Sequence, residues 1–214
     1  MARIITLKWG NKYGPEYVNI LHSRIRHWHP DWEFVCYTDN TQGLDTGILT
    51  QQLPTELGLH GWWFKIWIFN QMLPGENIFL DLDMLVAGDL EVFRPPKPPH
   101  IGIIQNGTKI NSSCVSWRDR IPSVWDTLDS NREFHLAQRP PYGDQEILEL
   151  AEKSSRQFTM SWFNPMATAW LRVAREGGGA RGLLETTRLI VCKGPRNPHQ
   201  HQDHPLVKKY WRTI

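Results

Sequence analysis

Long apolar runs, an even set of cysteines, internal repeats and an excess of one charge are all missing from this chain. No stretch approaches the ~18 consecutive apolar residues that a membrane span needs, which excludes an integral membrane segment from the sequence reading. The N-terminal Met-Ala-Arg-Ile-Ile-Thr-Leu-Lys has no apolar core of a secretion signal. Cysteine is scarce: Cys36, Cys114 and Cys192, each inside an apolar, strand-like run. An odd count without an export signal predicts buried, reduced thiols in a cytoplasmic protein, with peripheral membrane association left open. The sequons at Asn106 and Asn111 are then without meaning. A formal net charge of +2 announces neither a nucleic-acid nor a membrane partner. The first strand is followed by Leu7-Lys8-Trp9-Gly10-Asn11-Lys12, which has one glycine and so no Gly-rich phosphate loop.

What is present is enough chain, 214 residues, for one domain with a substantial core. Tryptophan is abundant, with 11 copies. Most large aromatics serve burial; the other use of so many indoles is as platforms for sugar rings. Residues 3–9 read as a buried strand, and Pro15 opens a helix carried to about residue 28 by Tyr17, Ile20, Leu21 and Ile25. Residues 33–38 form a second strand, so the chain begins β-α-β, which favours a parallel sheet. A weak strand at 48–53 precedes a helix at 61–72, stopped by Leu73-Pro74-Gly75, and a short strand at 77–80. Further strands are expected at 101–105, 112–117, 157–160 and 189–193, and helices at 121–128 and 144–153. Residues 94–99 read as a Pro-rich connection and 176–182 as a Gly-rich stretch. The alternation makes the fold class α/β.

The centre of the sequence is Ile78-Phe79-Leu80-Asp81-Leu82-Asp83-Met84-Leu85-Val86. Two carboxylates at i and i+2 follow an apolar run. On a continuing strand they would share one face and repel, unless a cation lies between them. A hard divalent ion that also touches phosphate oxygens resolves the repulsion. Ligands of open α/β sheets bind beyond the carboxyl ends of the strands, where this pair falls.

Here the sequence resembles the GT-A-fold glycosyltransferases, in particular family 8 and its bacterial relatives. The resemblance runs in order through Thr6-Leu7-Lys8-Trp9-Gly10 with Tyr13, Phe34-Val35-Cys36-Tyr37-Thr38-Asp39, Gly61-Trp62-Trp63-Phe64-Lys65-Ile66, the Asp81/Asp83 pair with Gly88-Asp89-Leu90, Ile110-Asn111-Ser112-Ser113-Cys114-Val115, Gly143-Asp144-Gln145-Glu146, and Cys192-Lys193-Gly194-Pro195. It implies a single Rossmann-like nucleotide-diphospho-sugar transferase domain with a mixed, mainly parallel central sheet flanked by helices. Residues 1–105 would form the nucleotide-binding half and 106–214 the sugar- and acceptor-binding half. The implied activity is transfer of a hexose from a nucleotide-sugar, UDP-linked by the family's habit, to a saccharide, lipid-linked or other hydroxyl acceptor, with retention of configuration.

The implied cofactor is Mn²⁺ or Mg²⁺, held by Asp81 and Asp83 against the donor diphosphate. Thr6, Lys8, Tyr13, Asp39, Lys65, Asn111, Ser112, Lys193 and Gly194 would contact the donor, and Asp144 and Gln145 would act beside the sugar. Lys65 has a rival role as a solvent-reaching surface lysine, and Asp144 as a helix cap. Where relatives place a metal-binding His before the Gly, this chain has Lys193, which leaves three alternatives: Lys193 replaces some of the ion's charge at the phosphates, one of His199, His201 and His204 supplies the ligand, with His199 the one expected, or the metal has two protein ligands only. Two other readings stand beside this one. A metal-dependent phosphatase or nucleotidyltransferase would use the same acidic pair. The tail Lys208-Lys209-Tyr210-Trp211-Arg212 interleaves cations and aromatics as single-strand binders do, which would suit a nucleic-acid binder or an enzyme that glycosylates bases.

Overall fold

The first strand, β1 (Ala2–Lys8), lies inside a seven-stranded sheet because both its faces are apolar. The computed structural model describes residues 2–138, 142–172, 180–181, 183–193 and 197–214. Parallel neighbours flank β1, namely β2 (Glu33–Thr38) and β4 (Leu73–Leu80). Continuous burial is what a central parallel strand requires. Between β1 and β2 runs α1 (Pro15–Trp28), with Pro15 and Glu16 in its first turn and Arg26 and His27 in its last, each favourable at its end of the helix dipole. Beyond β2 lies β3 (Leu49–Gln52), and the chain returns through α2 (Trp63–Asn70) to place β4 on the other side of β1. Six of the eight residues of α2 are buried, as expected of a helix apolar on every face.

The short β5 (Met84–Val86) leaves this sheet, and β6 (His100–Asn106) and β7 (Lys109–Asp119) return to it as an antiparallel pair. Next come α3 (Pro122–Asp129), α4 (Arg132–Ala137), α5 (Asp144–Ser155) and β8 (Thr159–Trp162). The large sheet has the order β3-β2-β1-β4-β7-β6-β8, mixed and mainly parallel. A second sheet, β10-β9-β11-β5, joins β9 (Thr168–Arg172), β10 (Ala180–Arg181) and β11 (Leu189–Lys193) to β5. The chain ends in α6 (Pro205–Tyr210).

Strand periodicity divides the core into two layers. Ile5, Val35, Tyr37 and Phe79 pack with Phe64, Phe69, Trp117 and Ile147 on the α2–α5 face. Their neighbours in sequence, Ile4, Phe34, Cys36, Ile78 and Leu80, pack with Val18, Leu21 and Ile25 of α1 on the other. The three cysteines are free thiols on β2, β7 and β11. Among the described residues no helix is long and apolar enough to cross a membrane.

Several sequence expectations change. Leu73-Pro74-Gly75 does not merely end a helix. It begins β4, whose exposed outer half carries the Pro and Gly that a buried strand would not tolerate. The tail read as a cation–aromatic stretch runs out of α6, where Val207 is buried, and Trp211, just past that helix, packs edge-on against Tyr17 at 5.2 Å. Apart from Ala180–Arg181, the Gly-rich stretch 176–182 lies outside the described residues.

Candidate active site

The chain moves outward from β1 through β2 to β3, then crosses back to β4. The carboxyl ends of β1 and β4 therefore flank a point where strand order reverses, the place where open α/β sheets bind ligands. A cavity of about 440 Å³ opens there, a size suited to a small-molecule ligand. Five segments build its wall: the loop after β1, the N-terminus of α2, the turn after β4, the middle of β7 and the N-terminus of α5. Of the residues singled out in the sequence, the structure brings Tyr13, Lys65, Asp81, Asp83, Asn111, Ser112, Asp144 and Gln145 together on its wall.

The acidic pair does not sit on a continuing strand. β4 stops at Leu80, and Asp81-Leu82-Asp83 is a turn leading into β5, so the common strand face inferred from spacing is replaced by turn geometry. Both sides anchor that turn. Thr6 Oγ1 donates to the Leu80 carbonyl at 2.9 Å, just past the last β1–β4 pairing of Ile5 with Phe79. On the other side the Asp81 amide donates to the Ser113 carbonyl at 2.9 Å.

Lys65 is the hub of the floor and does not reach solvent: it is 3% exposed. Its ammonium stands 2.8 Å from Asp144 Oδ2 and 3.0 Å from Asp81 Oδ1, and donates to the Ser112 carbonyl at 3.2 Å. Burial alone would lower its pKa, but Asp144 and then Asp81 outweigh it and hold the charge on. Asp144 Oδ2 is itself buried and is taken up by the Lys65 ammonium. Asp144 opens α5 without capping it. Gly143 holds the cap position, where its amide donates to Glu146 Oε2 at 2.7 Å.

Asp83 is held differently. Burial, and then the neighbouring charge of Asp81, push its carboxyl above the usual carboxylate range. Tyr13 donates to Asp83 Oδ2 at 3.0 Å, and Lys12 lies over the Tyr13 ring at 4.6 Å. The Tyr13 phenol is itself pushed well above its ordinary value, by burial first and Asp83 second. Among the described residues no cation comes within ion-pairing distance of Asp83. Two adjacent carboxylates, one of them lacking a cation, fit the oxygen-donor preference of a hard divalent ion.

Other predicted site residues stand off the wall. Thr6 is buried and fixes the acidic turn as described. Lys8 belongs to the same strand face as Ile4 and Thr6, whereas Leu7 and Trp9, of the opposite parity, meet the cavity. Asp39 Oδ2 accepts from the Gly10 amide at 2.9 Å and so fixes a turn in which Gly10 has φ +60°, a backbone region that favours glycine. His199 is not among the residues that line the cavity: its Nδ1 is hydrogen-bonded to the Tyr17 hydroxyl, and the ring meets Tyr17 edge-on. Among the described residues no three His, Cys, Asp or Glu side chains gather as a metal cage. Lys193 ends β11 opposite Arg172, its side chain not among those described, and Gly194 lies outside the described residues.

The structure adds Trp9, Lys12, His60, Trp62 and Ser113 to the wall. Lys12 and Trp62 had a visible signal in the sequence, a cation and an indole beside segments already singled out.

No family model matches the chain, and no curated protein does. Solved structures do. The galactosyltransferase LgtC, in complex with donor and acceptor sugar analogues, matches with a TM-score of 0.62 and 12% identity, over 99% of this chain and 97% of that one. The bifunctional glycosyltransferase WbbM matches at 0.64 and 10%, over 92% of this chain and 46% of that one. The glycosyltransferase GlyE of Streptococcus pneumoniae TIGR4 matches at 0.57 and 11%, over 78% and 47%. The chain has the mixed α/β sheet of the GT-A glycosyltransferase fold.

Proposed function

We propose that the protein transfers a hexose from a nucleotide-sugar, UDP-linked, to a hydroxyl acceptor, assisted by Mn²⁺ or Mg²⁺. The observation that carries this reading is the convergence of Asp81, Asp83, Lys65, Asp144 and Gln145 on one cavity at the switch point of a sheet shared with glycosyltransferases. Asp81 and Asp83 would hold the cation, which when bound neutralises charge on the leaving nucleoside diphosphate.

The chain's own residues do the rest. Lys65 holds Asp81 and Asp144 in place. Asp144, on the cavity wall beside Lys65, takes hydrogen bonds from sugar hydroxyls. Gln145 directs its amide dipole at the anomeric carbon as positive charge grows there. The acceptor oxygen bonds to that carbon, the bond to the diphosphate breaks, and the hydroxyl proton passes to the departing phosphate oxygen. Among the described residues the wall offers three carboxylates: two serve the cation, and Asp144 is charge-paired with Lys65. Retention is taken from the resemblance to family 8, and a same-face displacement suits a wall with no carboxylate left over as a covalent nucleophile.

The test is thermal unfolding with a panel of nucleotides and UDP-sugars, with and without Mn²⁺, in the wild type and Asp83→Asn. A ligand at 100 times its Kd adds about 2.7 kcal/mol. A shift by UDP that needs both metal and Asp83 supports the reading; no shift from any nucleotide with any metal sinks it.

A further inference from the structure

His199, expected from the sequence to hold a metal, turns its ring to a buried tyrosine, and contacts run from there to the acidic turn. Tyr17, in the first turn of α1, is 1% exposed. Its hydroxyl is hydrogen-bonded to His199 Nδ1 and accepts from the His199 amide at 3.5 Å. Trp211 meets the same ring edge-on. Tyr13 lies against Tyr17, with ring centroids 4.6 Å apart. The Tyr13 hydroxyl donates to Asp83 Oδ2 at 3.0 Å, and Asn197 Oδ1 stands 3.4 Å from that hydroxyl. Asn197 is fixed in turn, because its amide donates to Gln200 Oε1 at 3.0 Å across the 3₁₀ turn Pro198–His201. Three residues of the C-terminal segment thus grip a pair of tyrosines, and one of the pair grips Asp83.

Packing accounts for the two rings but not for the hydroxyl on Tyr13. Phenylalanine there would fill the same space beside the core that holds Leu82 and Met84. The pair Asp81 and Asp83 has particular need of support. Among the described residues no third His, Cys, Asp or Glu joins them, so affinity for a divalent ion depends on how firmly two carboxylates are presented. Asp81 is fixed by Lys65 at 3.0 Å and by its amide bond to the Ser113 carbonyl. Asp83 is fixed through Oδ2 by Tyr13, which sets how the carboxylate presents its other oxygen. Partners that orient a ligating side chain are worth about 10–100-fold in metal affinity.

We propose that Tyr13 and His199 are positioning residues for the cation. The C-terminal segment acts on the metal without ligating it: His199 fixes Tyr17, Tyr13 rests on Tyr17, and Tyr13 orients Asp83. This rests on the metal-assisted reading above and deepens it.

The experiment is Mn²⁺ binding followed by electron paramagnetic resonance, with and without UDP. The proteins are the wild type, Asp83→Asn, Tyr13→Phe, His199→Ala and His199→Asn, each also unfolded in urea without metal. Tyr13→Phe should raise the Kd for Mn²⁺ about tenfold. His199→Ala should raise it severalfold, and His199→Asn, which places an amide atom where Nδ1 lies, should restore part of that loss. Bound Mn²⁺ should show no imidazole nitrogen in its electron spin-echo modulation. A wild-type Kd in Tyr13→Phe or His199→Ala overturns the proposal even where the urea midpoint falls, since the contacts would then serve packing alone. An imidazole modulation that His199→Ala abolishes also overturns it, by making His199 a ligand. A wild type that binds no Mn²⁺ with or without UDP, or an Asp83→Asn protein that binds it equally well, overturns the functional reading itself, and this inference with it.

Discussion

Replacing Lys65 by methionine tests whether the floor of the site is a charge balance or merely a packed surface. Methionine keeps the length and apolar stem of the side chain, so little cavity opens, and the packing over Phe79, where the ammonium now lies 4.8 Å from the ring centroid, survives. What disappears is the one cation between Asp81 and Asp144, at 3.0 and 2.8 Å, together with the donor to the Ser112 carbonyl. Removing one partner of a buried ion pair costs about 3–5 kcal/mol, because the remaining charge is left without compensation. The surroundings here are dry enough for that figure: Lys65 is 3% and Asp144 8% exposed. Asp81 is more open and can recover some hydration, which places the expected loss near the lower end.

In a domain of this size about 3 kcal/mol lowers the melting temperature by roughly 6–12 °C. Urea unfolding followed by circular dichroism, without nucleotide or divalent metal, measures it directly. Lys65→Met/Asp144→Asn should recover about half the loss, because it removes the more buried of the two orphaned charges. A Lys65→Met protein within about 1 kcal/mol of wild type, or a double variant no better than the single one, would refute the argument.

Two further outcomes follow from the same structure. Thr6→Val keeps the shape of the side chain but strands the Leu80 carbonyl, at an expected cost of about 1–3 kcal/mol in urea unfolding; UDP binding should weaken only severalfold, since Thr6 fixes the acidic turn without touching the cavity. His29 gives a pH signature. Its Nε2 accepts from the Leu90 amide at 2.7 Å and its ring stacks on Trp32, so the folded state needs it neutral. Burial lowers its pKa below the model-peptide value near 6.5, against the opposing pull of Glu91 and Asp89. The native state therefore binds fewer protons than the unfolded chain, and the stability due to neutral His29 is present above pH ~6.5 and lost as pH falls toward the folded pKa. The difference in urea midpoint between pH 7.5 and 5.5 should be smaller in His29→Asn than in wild type; equal differences would remove His29 from the acid response.

Much of this was legible because the physics is local. The β-α-β opening follows from a buried apolar strand, a Pro at a helix start and a recurring apolar face, and the structure reproduces residues 15–28 and 33–38 as expected. The acidic pair was legible because two carboxylates after an apolar run have few purposes. What the sequence left undecided is what tertiary register decides. Whether Lys8 or Trp9 faces the ligand depends on which residue ends the strand, and a shift of one reverses the answer. His199 carries metal-like chemistry in sequence, but a tyrosine from α1 takes its ring nitrogen in space. Lys65 could be assigned to either floor or solvent until β7 and α5 were placed around it.

The charges on the wall also constrain the order of binding. Asp81, Asp83 and Asp144 bring three negative charges, and Lys65 and Lys12 return two. The lysines are not equivalent: Lys65 is already committed to two of the carboxylates, and Lys12 rests on the Tyr13 ring next to the third. A bare nucleoside diphosphate would thus enter a cavity whose buried cation is already committed to carboxylates and whose other lysine, Lys12, is exposed and rests on the Tyr13 ring, bringing its own negative charge into a poorly screened space. A divalent ion on Asp81 and Asp83 reverses that sign. On the proposed reading, UDP affinity should therefore collapse without metal instead of merely weakening, and metal affinity should rise by the same factor when UDP is present, because the coupling is reciprocal.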